Sequence, residues 1–189
     1  MIELARWLGA SDAMIVSAVD IPVEDDLAKL CFDPPCESYG LSASCPPHVA
    51  GPSAFRELLR GYERALVFRI EVPSQILLSN ERGEIFRLLH QIAADVEQAA
   101  VRKGYRKSRG YAGGSCKQLF CGDQRVCQVV SEGRACRNPD HARPSMSGFG
   151  INVSKLMETA GSTMKRISAE TDQAPSSGMG TVCGLVLIA

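Results

Sequence analysis

RALVFRIEVPSQILLSNERGEIFRLLHQIAADVEQAAVRKGYRKSRGY, residues 64–111, decides the fold. Its first nine residues, Arg64–Val72, are dominated by branched and aromatic apolar side chains and stop at Pro73, the pattern of a strand. From Glu81 to Lys103 the apolar residues Ile85, Leu88, Leu89, Ile92, Val96 and Ala99 or Ala100 recur with a period near 3.6, so the segment reads as a long amphipathic helix. Gly104 stands where a helix C′ glycine belongs. Tyr105–Tyr111 then reads as a further strand. Strand, helix and strand in succession predict an α/β protein.

Working outward, Ala13–Val19 (AMIVSAV) is a buried strand ended at Asp20-Ile21-Pro22. Phe55, Leu58, Leu59 and Tyr62 mark a short helix between Pro52 and Gly61. Asn152 is an N-cap candidate for a helix carrying Val153, Leu156, Met157 and Ala160. Residues 161–180 are polar and Gly-rich, and Thr181–Ile188 (TVCGLVLI) closes the chain as a mostly apolar strand. The expectation is one helix-covered sheet of about four strands, a single metal-binding domain over 1–189. Two long segments without periodicity, 24–51 and 112–150, interrupt it as loops. Structureless loops of that length are uncommon inside a compact domain and usually functional.

Composition narrows the function. The 189 residues are 45% hydrophobic and 22% charged, which excludes a disordered chain. At this length about 70% of the unfolded-chain surface can be buried, so no metal or disulfide is needed merely to obtain a core. Lys+Arg 21 balances Asp+Glu 21, which argues against nucleic-acid or membrane-surface binding through bulk charge. No stretch approaches the ~18 apolar residues of a membrane span. The start MIELARWLGASDA lacks a basic segment followed by an apolar one, so the expected address is the cytoplasm.

The chain has eight cysteines, seven of them in the two loops. Cys31, Cys36 and Cys45 stand as C-x4-C-x8-C; Cys116, Cys121, Cys127 and Cys136 stand as C-x4-C-x5-C-x8-C. A reducing compartment argues against disulfides, and clustered thiols point to metal or redox chemistry. Thiolates select zinc, copper(I) or iron–sulfur clusters. Tetrahedral zinc is usually held by tight C-x2–4-C pairs, whereas wider spacings suit an iron–sulfur cluster, whose ligands spread over several irons. The residues favour one or two clusters of the [4Fe–4S] kind, with zinc as the alternative. Four cysteines in the second loop can close one site; three in the first leave a ligand position open, to be filled by Cys183, by a histidine or by neither. Gly113, Gly114 and Gly122 are expected to admit backbone amides to cluster sulfurs, and Cys45-Pro46-Pro47 matches the Cys-Pro ending of ferredoxin ligand runs.

Other residues have plainer readings beside functional ones. His48 and His141 are ligand candidates but more simply supporting or structural groups. His90 reads as a surface residue and Trp7 as a core or staple residue. Arg137 and Arg143 either offset cluster charge or pair with Asp140. Arg102, Lys103, Arg106, Lys107 and Arg109 suit a solvated helix end, or a docking patch over 102–109 for an acidic redox partner. No P-loop, G-x-G-x-x-G, G-x-S-x-G, H-E-x-x-H or C-x3-C-x2-C motif is present.

Four segments carry a family resemblance: CESYGLSASCPPH (36–48), GGSCKQLFCGDQRVC (113–127), CRNPDHARPSMSGFGINVSKLM (136–157) and CGLVLIA (183–189). On them the chain resembles a cysteine-rich domain of unknown function described as a predicted metal-binding protein and found mainly in methanogens and other anaerobes. The resemblance implies metal or iron–sulfur binding through Cys31, Cys36, Cys45, Cys116, Cys121, Cys127 and Cys136. Many relatives open the second group with a tighter C-x2-C. Arg143–Met146 is expected to shape a wall of the site. The functions implied are electron transfer or one-electron reduction of a partner or cofactor, or else a zinc-bound interaction module or a metal carrier.

Overall fold

Four strands form one open sheet in which every neighbouring pair is antiparallel. The computed structural model describes residues 1–162 and 178–189. Along the chain run α1 (Ile2–Trp7), β1 (Asp12–Ser17), α2 (Asp25–Lys29), α3 (Gly51–Leu59), β2 (Arg64–Pro73), α4 (Ser74–Leu77), α5 (Arg82–Arg102), β3 (Arg109–Tyr111), α6 (Cys116–Phe120), α7 (Gln128–Glu132), α8 (Val153–Thr159) and β4 (Met179–Ile188). The sheet order is β1-β2-β4-β3. Most of the polar stretch read at 161–180 lies outside the described residues. Among those described, no helix is long and apolar enough to cross a membrane.

Alternation along the two central strands builds two cores. Ala65 and Val67 of β2 join Cys183, Leu185 and Leu187 of β4 on one face, under α3, α8 and the run Met146–Ile151. Leu66, Phe68 and Ile70 join Val182 and Val186 on the other, under α1 and α5. Both faces are covered, which is why these strands read as nearly continuous apolar runs rather than as alternating ones. Full burial of each large side chain contributes ~1.5–3 kcal/mol. Gly184 lies directly opposite Phe68, and a Cβ there would collide with the Phe68 ring.

The long helix has the expected stripe: Leu89, Ile92, Ala93, Val96 and Ala100 are fully buried or nearly so. It ends in a Schellman arrangement. Gly104 has φ +100°, the Tyr105 N–H bonds the Ala100 carbonyl (3.1 Å) and the Gly104 N–H bonds that of Val101 (3.0 Å). The strand expected from Tyr105 begins only at Arg109, because residues 105–108 are spent on a turn back to the C-terminus, with the Lys107 N–H on the Ala189 carbonyl at 2.8 Å.

Three expectations are corrected. Trp7 is 81% exposed, because α1 turns Ala5 and not Trp7 to the core. His90 is fully buried, because α5 is covered on a second side by the segment after β3. The segments 24–51 and 112–150 are not structureless: they contain α2, α6, α7 and a 3-10 turn at Met146–Phe149. Helices of five residues are too short to print a 3.6-residue period on the sequence.

Candidate metal centre

The two cysteine segments meet along one seam. The Ser145 N–H bonds the Ser44 carbonyl (2.9 Å), and the Glu24 N–H bonds the Gly150 carbonyl (2.8 Å). Ala112 exchanges backbone bonds with the other side of the same run, its N–H on the Pro144 carbonyl and its carbonyl taking the Met146 N–H. Residues 143–152 thus tie β3, the first cysteine segment and α8 together. Gly148 permits the closest approach: a Cβ there would stand 2.7 Å from Val49 and 2.9 Å from Pro46.

Cys116, Cys121, Cys127 and Cys136 line one small cavity of about 20 Å³, room for about one water-sized atom. Donors converge on their sulfurs. Asn138 gives its Nδ2–H to Cys121 Sγ (3.1 Å) and its backbone N–H to Cys136 Sγ (3.4 Å). Ser44 Oγ donates to Cys116 Sγ at 3.0 Å. The amides of Ala43, Val129 and Val130 face Cys127, which stands at the N-cap of α7. Partial burial pushes the Cys127 thiol up, but these amides and the Lys117 ammonium outweigh it and hold it below its ordinary value. Burial pushes the Cys116 thiol up despite the Ser44 donor.

The charges around this quartet are lopsided. Lys117 and Arg137 line the cavity, and among the described residues no carboxylate does. Lys117 is held by the carbonyls of Cys121 (2.8 Å) and Gln124 (2.5 Å). Arg137 is held by the side-chain oxygens of Gln124 and Gln128. Both cations are fixed by neutral oxygens, so their charge is left for the sulfurs. Arg143 behaves differently. It is buried and paired with Glu97 of α5 (2.9 Å), not with Asp140, and its Nη1 bonds the carbonyls of Pro139 and Ala142.

Cys31, Cys36 and Cys45 line a different space, an open cavity of about 830 Å³. Burial, then the neighbouring Cys36 and Cys45, push the Cys31 thiol up. Cys36 is exposed and Cys45 buried. Ser42, Ala43 and Ser44 form the partition between the two groups. Ser44 Oγ lies 3.0 Å from Cys116 Sγ and 3.8 Å from Cys45 Sγ. Because Ser44 donates to Cys116, Ser42 must donate to Ser44 (3.0 Å), and Ser115 in turn to Ser42 (3.5 Å).

All eight cysteines are unpaired as disulfides, and among the described residues no three His, Cys, Asp or Glu side chains gather closely enough to hold one ion. Cys183 is in neither group. It is wholly buried in the sheet, where desolvation raises its pKa to about 12 and its thiol faces the Gly184 carbonyl. His48 is exposed beside the Gly40 carbonyl, and His141 stacks on Phe120; neither lines a cysteine cavity. Gly113 and Gly114 give room to the Phe86 ring, which a Cβ on either would meet within 3.3 Å. Gly122 lies against the Gln118 carbonyl.

The sequence reading missed His90. Its Nδ1 accepts the Arg143 N–H (3.1 Å), so its Nε2 carries the proton and donates to the Gly113 carbonyl (2.9 Å). Burial, against a raising bond to Gly113, lowers its pKa to about 4. Glu97 completes this clamp by accepting from the Gly110 N–H and Arg143. The signal in the sequence was its position next to Leu89, at the edge of the apolar stripe.

The α/β scaffold thus presents two groups of soft sulfur donors, one with cations and N–H donors turned to it. The chain belongs to the family described as Predicted metal-binding protein (DUF2284), whose model matches residues 14–188. No curated protein and no solved structure matches it.

Proposed function

We propose that the chain is an iron–sulfur protein in which Cys116, Cys121, Cys127 and Cys136 hold a [4Fe–4S] cluster and Cys31, Cys36 and Cys45 form a second, three-thiolate position. The observation that carries the reading is the quartet's surroundings: N–H and O–H donors on its sulfurs, two cations, and no carboxylate on its lining among the described residues. A bound cluster supplies one-electron exchange. Asn138, Ser44 and the amides at 43, 129 and 130 fix the thiolates, while Lys117 and Arg137 offset negative charge and raise the reduction potential. The function is then electron transfer, or one-electron reduction of a partner or cofactor.

The exposed cations Arg102, Lys103, Arg106, Lys107 and Arg109 enter no ion pair among the described residues. They offer a docking patch for an acidic redox protein, which predicts association that weakens as salt rises.

Zinc is the second reading: the space of about 20 Å³ between the quartet is small for a cubane, and the sulfurs would have to draw closer to hold even a single ion. Metal and acid-labile sulfide analysis of protein purified without oxygen, with its visible spectrum, separates the two. About four irons with equal sulfide per filled site and a band bleached by dithionite support the cluster. Stoichiometric zinc and a featureless spectrum overturn it in favour of a structural module.

A further inference from the structure

The cavity beside Cys31, Cys36 and Cys45 is built as a ligand site and not merely as an opening. Its volume of about 830 Å³ falls in the range of small-molecule pockets. Apolar walls come from Leu27, Phe86, Leu119, Ile151 and Val153. Two lining serines are more than nine-tenths buried, Ser38 at 7% and Ser145 at 6% exposure, and neither hydroxyl bonds to anything among the described residues. Among the described residues the fully enclosed hydroxyls without a partner are those of Ser74, Ser108 and Thr181, so the Ser38 and Ser145 hydroxyls keep some accessible surface, where polar atoms of a guest could meet them.

One end of the cavity is an anion cradle. Asn80, Arg82 and Gly83 line it at the first turn of α5, a helix of 21 residues. Arg82 makes no ion pair and the Gly83 N–H has no partner among the described residues. An unpaired guanidinium, an orphan amide and the positive end of a long helix all favour negative charge. Among the described residues Glu37 is the single acid on the lining, while Glu81 and Glu84 stand at the same helix start without lining the cavity. We infer that this cavity binds a small organic carboxylate with an apolar body, the carboxylate at Asn80–Gly83 and the body along the Phe86–Leu119–Ile151 wall toward the three thiols. The assignment rests on the metal reading in one respect: the three-thiolate position would then act on the guest held against it.

The test is calorimetric titration of protein purified without oxygen, using 3-phenylpropionate, its neutral counterpart 3-phenylpropanol and inorganic phosphate as probes. Saturable 3-phenylpropionate binding is expected, about tenfold weaker for the alcohol and about tenfold weaker in Arg82→Ala, with Arg82→Lys retaining most of the affinity. Arg82 is exposed at the helix start, so its replacement leaves the fold intact, which circular dichroism checks. No binding, binding indifferent to Arg82→Ala, or the alcohol binding equally well overturns the anion cradle. Phosphate binding as tightly as 3-phenylpropionate overturns the role of the apolar walls. Metal content is measured on the same samples. A chain without metal that still binds 3-phenylpropionate breaks the metal reading alone; a metal-loaded chain that does not bind it breaks only this one.

Discussion

The two cysteine groups sit on opposite sides of a three-residue partition and differ in almost everything else. The quartet is enclosed, with donors on its sulfurs and two cations held by neutral oxygens. The trio lines a cavity some forty times larger, open at Cys36 and walled by apolar side chains. Enclosure with matched donors is what a closed centre needs; vacancy beside a pocket is what a reacting centre needs. The difference teaches that what surrounds a group of thiols, more than the thiols themselves, makes the site.

The largest expected effect comes from breaking one side only. Cys127→Ser should abolish metal retention at the quartet and loosen residues 112–150, while Cys36→Ser should leave the quartet's metal stoichiometry unchanged. Elemental analysis with hydrogen exchange reads both, and loss of all metal in Cys36→Ser would show that the groups form one site. With metal removed from both, α5 and the β2–β4 core should keep their protection; uniform collapse would make the metal the source of folding energy.

Next in size is the clamp behind the quartet. Glu97→Ala leaves buried Arg143 without its carboxylate and should cost about 3–5 kcal/mol in urea unfolding. It should shift the quartet's spectrum but not 3-phenylpropionate affinity. A change in both would mean that the two sides are not mechanically separate.

The pH dependence follows from His90. Burial holds its pKa at about 4, against the ordinary 6.5 of the unfolded chain. As pH falls below 6.5 the unfolded chain takes up a proton that the folded chain refuses until about 4. Stability from this group is therefore complete above pH 6.5 and declines by up to about 3 kcal/mol by pH 4. His90→Gln should flatten that part of a stability–pH curve, and an unchanged curve would show that other groups set it.

The smallest effect is on the trio's rim. Asn152 accepts the Lys155 N–H (3.1 Å) as the N-cap of α8, and Asn152→Ala should cost about 1 kcal/mol in thermal unfolding without loss of metal.

The scaffold was legible where apolar residues repeat over many positions. The α5 stripe, the Gly104 terminus, the Asn152 cap and the apolar runs of β2 and β4 are long-range regularities that one sequence displays. Their antiparallel pairing is not, because a strand buried on both faces looks the same whichever way its neighbour runs. The thiols were legible as residue types, and their division into an enclosed quartet and an open trio follows the two segments in which they occur. What surrounds them was not legible. Ser44 and Asn138 carry no pattern, His90 only its place at the edge of the α5 stripe, and Arg143 looked like a charge for the site until Glu97, 46 positions earlier, was found to hold it.

The Ser44 hydroxyl has one hydrogen and two sulfurs within its reach, Cys116 at 3.0 Å and Cys45 at 3.8 Å. It can serve one of them at a time. Ser42 behind it replenishes the oxygen's acceptor side but cannot add a second donor in that direction. The partition therefore sets the two groups in competition: the one proton given to a sulfur on one side is not available to the sulfur on the other.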